Sequence, residues 1–95
     1  MFSSINLEQT IDYYEAIIDR GDEHSYNYWY LGLAYLLQQR EVDAQATWFI
    51  PFAEASELEM AALSDEFSDV LDRFASQELA TNNLDRAWLI RKHLW

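Results

Sequence analysis

A chain of 95 residues, 51% of them hydrophobic, suits one small domain spanning 1–95 with a core of its own. Two glycines, one proline and no cysteine exclude a turn-rich sheet protein, a disulfide framework and a thiolate metal site, and point to helices with short connections. The net charge of −11 excludes a phosphate-gripping nucleic-acid protein and a binder of anionic membrane surfaces.

Residues 5–20 read as a leading helix. Ser4 or Asn6 caps it, Glu8 sits in its first turn, and Leu7, Ile11, Tyr14, Ile17 and Ile18 form its apolar stripe. Gly21 supplies the stop. Asp22 or Ser25 caps a second helix running to about Gln39. Within it, Tyr28, Leu31, Gly32 and Tyr35 share one face at i, i+3, i+4, i+7, and Trp29, Leu33, Leu36 and Leu37 form another, so this helix is packed on two sides. Gly32 costs such a helix about 1 kcal/mol relative to Ala. A second helix crossing at close range is the expected reason for it.

A third helix starts near Val42 and packs through Ala44, Ala46, Thr47, Trp48 and Ile50. Pro51 ends or kinks it near Ile50, because an interior proline costs about 3 kcal/mol. Residues 51–56 form a link. Ser56-x-x-Glu59 is a capping-box pattern, so a fourth helix starts near Glu57 and reaches about Leu79. Its stripe is Phe67, Val70, Leu71, Phe74 and Ala75. Ser64-Asp65-Glu66 is a second cap-like signal at which this span divides in the alternative reading. After a turn at residues 81–83, a final helix over 84–94 buries Leu84, Ala87, Trp88 and either Ile90 or the stem of Arg91. Trp88, Leu94 and Trp95 leave apolar surface where the sequence stops. The expectation is that the chain continues as part of a longer protein or, alternatively, that these residues bury against a second copy.

Charge is uneven along the chain. Residues 1–72 hold fifteen acids against Arg20 and Arg40, whereas residues 73–95 hold Arg73, Arg86, Arg91 and Lys92 against Glu78 and Asp85. A basic end that meets an acidic body, in the same chain or a neighbour, is one reading; a solvated acidic surface is the other. No basic segment precedes an apolar run at the N-terminus, and no apolar run approaches the roughly 20 residues a bilayer span needs, so a cytoplasmic location is expected.

Tyr28-x-x-Leu31-Gly32-x-x-Tyr35 followed by Ala44-x-x-x-Trp48 resembles the tetratricopeptide repeat. Residues 25–50 carry this resemblance. It implies an all-α stack of about five helices in antiparallel hairpins, a fragment of an α-solenoid, acting as a non-catalytic protein–protein interaction module. It also implies that Gly32 marks a close helix approach, with Ala44 the small residue opposite. Residues 5–20 resemble the second helix of a preceding half-repeat, with Tyr13 and Ala16 at its aromatic and small positions. Residues 57–94 resemble an elongated, degenerate repeat: Ala44 and Ala87 lie 43 residues apart, against a family period of about 34. Pro51 also departs from the pattern.

On this resemblance Tyr26, Trp29, Tyr30, Leu33 and Leu36 line a partner-binding groove for a protein or peptide; the alternative is that the first and fourth helices cover them as core. The Lys and Asn with which some family members hold a peptide carboxylate are replaced by Trp29 and Leu33. A looser resemblance, over residues 29–48, is to repeat segments fused to bacterial FkbM-type methyltransferases or glycosyltransferases. It implies an accessory N-terminal region of a larger enzyme. A free-standing homodimer using Trp88, Leu94 and Trp95 in a structural role is the alternative.

Asp19, Asp22, Glu23 and His24 cluster at the first turn, but their spacing fits no metal loop. Asp65, Glu66, Asp69 and Asp72 form a helical acidic stripe, read as a solvated face or one for a basic partner. No Ser–His–Asp set, phosphate loop or glycine-rich fingerprint is present, so neither catalysis nor a cofactor is expected.

Overall fold

A computed structural model describes residues 7–80 and 82–93. The protein is all-α, with helices α1 (Leu7–Asp19), α2 (Ser25–Leu37), α3 (Glu41–Phe49), α4 (Glu57–Ala80) and α5 (Leu84–Arg91) and a 3-10 turn at Ile50–Phe52. No strand occurs among the described residues.

α2 is the helix on which the others converge. It packs against α1 and α3, and also against the 3-10 turn, α4 and α5, while α4 and α5 pair as a hairpin. The two apolar faces of α2 account for this: Trp29, Leu33, Ala34 and Leu36 have no exposed surface, and Tyr28, Leu31 and Tyr35 are buried beside them. α1 contributes Ile11 to the core, with Leu7, Tyr14 and Ile18 packed against it. α4 contributes Val70, Leu71, Phe74 and Ala75, and α5 contributes Ile90.

Three of the helices, α1, α2 and α4, end alike. At Gly21, Gln39 and Asn82 the backbone turns left-handed, with φ of 98°, 64° and 65°. After α1, Gly21 N–H donates to Ile18 C=O and Asp22 N–H to Ile17 C=O. After α2, Gln39 N–H donates to Leu36 C=O and Arg40 N–H to Tyr35 C=O; after α4, Asn82 N–H donates to Leu79 C=O and Asn83 N–H to Glu78 C=O. Each is a Schellman closure that satisfies orphan carbonyls. Only the first uses the expected glycine.

The capping box is formed: Glu59 N–H donates to Ser56 Oγ and Ser56 N–H to Glu59 Oε1, both at 3.2 Å. Hydrogen bonding from the Ser56 side chain, and then from its N–H, holds the Glu59 carboxyl below its usual pKa. The cap of α2 is neither Asp22 nor Ser25 but His24, whose Nδ1 accepts from Tyr26 N–H at 3.3 Å. Pro51 ends α3 at Phe49 and sits inside the 3-10 turn, where its missing N–H removes no α-helical bond.

α4 runs unbroken through Ser64-Asp65-Glu66, as the main reading expects, and the alternative division does not occur; Leu63 and Phe67 on either side of this signal both pack on the core. Two packing expectations are corrected. Ala46 and Ile50 are exposed, since α3 turns only Ala44, Thr47 and Trp48 inward. On α5, Ala87 and Ile90 are buried, whereas Leu84 and Trp88 are 53% and 73% exposed. α5 ends at Arg91, with Lys92 as its C-cap, short of the expected end at Leu94, a residue that itself lies outside the described ones.

Gly32 is a close-packing site, but it meets a side chain rather than a backbone. A β-carbon there would overlap the Trp48 indole at Nε1, Cδ1 and Cε2, the last at 2.8 Å. The indole N–H donates to Trp29 C=O at 3.1 Å. Trp48 therefore lies across α2 in the slot that the glycine opens.

Candidate protein-interaction surface

The residues expected to line a groove divide. Trp29, Leu33 and Leu36 are completely buried, so they line no open groove. The 3-10 turn and α4 cover Trp29, which packs on Phe52 and Phe67 with centroids 5.5 and 4.9 Å apart. Tyr26 and Tyr30 are half-buried. They extend a row of rings, with Tyr26 stacked on His24 at 5.3 Å and Tyr30 against Tyr26, Tyr14 and Phe74 at 6.1, 5.7 and 5.8 Å.

Glu66 breaks from the acidic stripe on which it lies. Its Oε1 accepts from Trp29 Nε1 at 2.7 Å and from Ser25 Oγ. This carboxylate ties α4 to α2, while Asp65, Asp69 and Asp72 remain exposed. The acids of the first turn have local duties: Asp22 accepts from His24 N–H, and Glu23 accepts from Tyr28 OH at 3.0 Å. Among the described residues, no group of three or more His, Asp or Glu is placed to hold a metal ion, and no helix is long and apolar enough to cross a membrane.

The basic end meets the acidic body at Glu41, whose Oε1 lies 3.2 Å from Lys92 Nζ and 3.1 Å from His93 Nε2, whereas Arg86 lies 3.9 Å from Glu78 within the basic end itself. His93 also packs edge-on against Trp48 at 5.3 Å. Burial pushes its pKa down, and the charge of Glu41 opposes that shift.

What remains open lies on the other side of α2. A cleft of about 330 Å³ is lined by Glu15, Ile18 and Asp19 of α1, Tyr28 and Leu31 of α2, and Thr47 and Ile50. It shares Glu15 with a second recess of about 450 Å³ lined by Glu8, Ile11, Asp12, Gln38 and Arg40. Two tyrosines fix carboxylates here. Tyr35 OH donates to Glu15 Oε2 at 2.8 Å, as Tyr28 OH does to Glu23. Burial and these carboxylates raise both phenol pKa values, that of Tyr35 to about 12.

Beside the cleft, α3 presents Val42, Ala46 and Phe49 outward at i, i+4, i+7, with Val42 79% and Phe49 64% exposed and Ile50 at 50%. Sequence reasoning assigned Ala46 and Ile50 to the core and missed this face. The signal was there: α3 has apolar residues on both sides, more than its contact with α2 can use. The α1 acids were missed as a set too, although 8, 12, 15 and 19 is a helical spacing.

Trp88 is the described member of the expected self-association patch and shares the outer face of α5 with Leu84. Leu94 and Trp95 lie outside the described residues. No protein-family model, curated protein or solved structure matches the chain.

Proposed function

We propose that this chain is a non-catalytic protein–protein interaction module. The observation that carries this is the outward apolar face of α3, Val42, Ala46, Phe49 and Ile50, continuous with the cleft between α1 and α3. Exposed apolar surface that is contiguous, rather than scattered, is characteristic of docking sites. The tetratricopeptide-like reading is supported by the Gly32–Trp48 packing and by hairpins stacked on α2. Attachment to a methyltransferase or glycosyltransferase rests on the looser sequence resemblance.

A photo-cross-linking amino acid in place of Phe49, with another in place of exposed Asp72 as control, tests the module in its native cells. The expected outcome is a defined protein adduct from position 49 and none from position 72. No adduct at 49, or equal adducts at both positions, overturns the reading.

The second reading, self-association, is favoured by Trp88 and Leu84 at i, i+4 on α5. It predicts a dimer by light scattering that Trp88→Ala dissociates. A monomer at every concentration removes it.

A further inference from the structure

We infer that His93 is an acid-released latch: its neutral ring holds the turn after α5 against the start of α3, and a proton on that ring lets the turn go. The inference stands apart from the interaction-module reading, which survives its failure.

α5 packs on α4 and α2, not on α3. The turn that follows it is what reaches α3, through Glu41 and Trp48. The His93 side chain is 11% exposed. Its ring rests edge-on against the Trp48 indole, with centroids 5.3 Å apart and planes at 64°. Nε2 lies 3.1 Å from Glu41 Oε1 but without hydrogen-bond geometry, so this buried nitrogen has no hydrogen-bond partner. The main chain of the turn is held by two bonds of helical type, from Lys92 N–H to Trp88 C=O and from His93 N–H to Ile90 C=O, each 3.1 Å.

One carboxylate serves two bases here. The Lys92 ammonium lies 3.2 Å from the same Glu41 oxygen, so Glu41 is balanced before His93 takes a proton. Charging His93 sets a second cation on that oxygen, beside the first, on a ring that little water can reach. Burial is the largest influence on the ring and pushes its pKa below 6.5. Glu41 from α3 opposes the shift, and Lys92 from the same turn adds to it; these are the charged groups that act on the ring. The closed turn therefore favours the neutral ring, and an open turn, where the ring meets water, favours the charged one. Closure is fully present above pH 6.5 and is lost progressively as pH falls below it, levelling off beneath the pKa of the closed state. The latch closes beside Val42, the first residue of the outward α3 face.

The test is an NMR titration of the full chain between pH 8 and pH 4. It follows the His93 imidazole, the Trp48 indole N–H and the exchange protection of the Lys92 and His93 amides. His93 is expected to titrate below 6.5, and the Trp48 signal to shift with the same midpoint. Amide protection should fall by at most about tenfold for each pH unit, as one proton per opening allows. Lys92→Gln should raise the His93 midpoint and Glu41→Gln should lower it, readouts that a merely structural contact would not move. His93→Phe keeps a ring against Trp48 and should remove the response of Trp48 and of the amides.

His93 titrating at or above 6.5 overturns the inference, since the Glu41 pair would then close the turn in acid. So does a Trp48 signal and an amide protection that ignore the His93 titration, or the same response in His93→Phe. If His93→Phe does not fold, the titration of the unaltered chain and the opposite shifts in Lys92→Gln and Glu41→Gln still decide.

Discussion

Gly32 has no β-carbon, and the Trp48 indole occupies the space one would fill. A rigid ring held by its N–H on Trp29 C=O cannot swing aside as a flexible side chain would. Gly32→Ala should therefore destabilise the protein by about 3 kcal/mol, the upper part of the range for overpacking, despite the better helix propensity of alanine. Urea unfolding followed by tryptophan emission measures this; a neutral result would show that Trp48 can move. Tyrosine chemistry acts at the same scale. Burial raises the pKa of Tyr14, Tyr28 and Tyr35, the last to about 12. The folded state thus favours the protonated phenol. That contribution is fully present below the unfolded value of 10 and is lost as pH rises from 10 through about 12. Tyrosinate absorbance should rise in two phases in the folded protein, and stability should fall across the second; one phase coincident with free tyrosine would contradict the burial of these phenols.

Among elements, the helix ends were only partly legible. The capping box at Ser56 and Glu59 and the stop at Gly21 could be read from local chemistry, since each needs only neighbours in sequence. The left-handed turns at Gln39 and Asn82 could not, because neither residue demands that conformation; the closures after α2 and α4 impose it. Left-handed backbone disfavours a residue with a β-carbon by about 1 kcal/mol. Gln39→Gly should accordingly stabilise the protein by roughly 0.5–1 kcal/mol, while Gly21→Ala, with open space around it but φ of 98°, should destabilise it by about 1 kcal/mol. Thermal melts of the two variants should move in opposite directions. The unbroken α4 shows the other limit. Ser64-Asp65-Glu66 has the composition of a helix start, yet Glu66 is spent on Ser25 and Trp29. A tertiary partner took the carboxylate that a cap would have used.

At the scale of the molecule, charge and exposed apolar surface oppose each other. The net charge of −11 disfavours compaction by self-repulsion, and the surface ion pairs of Arg40 and Arg73 recover little. Added sodium chloride should raise the melting temperature as it screens this repulsion, most steeply below about 0.15 M, where the screening length is still long. A melting temperature that falls with salt would mean that the Glu41, Lys92 and His93 contacts outweigh the general repulsion. The same acidity kept the candidate surface hidden from the sequence reading. Glu15 and Asp19 look like ordinary solvated positions until Thr47 and Ile50 are seen to line the same cleft.

The sequence by itself determined the all-α class, the order and approximate bounds of five helices, the proline break after α3 and the central place of residues 26–35. These follow from periodicity, capping and backbone sterics, which act over a few residues. Only the tertiary structure decided which apolar face of each helix is covered. Trp29, Leu33 and Leu36 went to the core, on a helix that packs against the 3-10 turn, α4 and α5, and Trp48 took the slot at Gly32. Val42, Phe49, Leu84 and Trp88 stayed outside. Hydrophobicity reveals that a face seeks cover, but burial depends on which helices reach it, and that is a property of packing between segments distant in the chain.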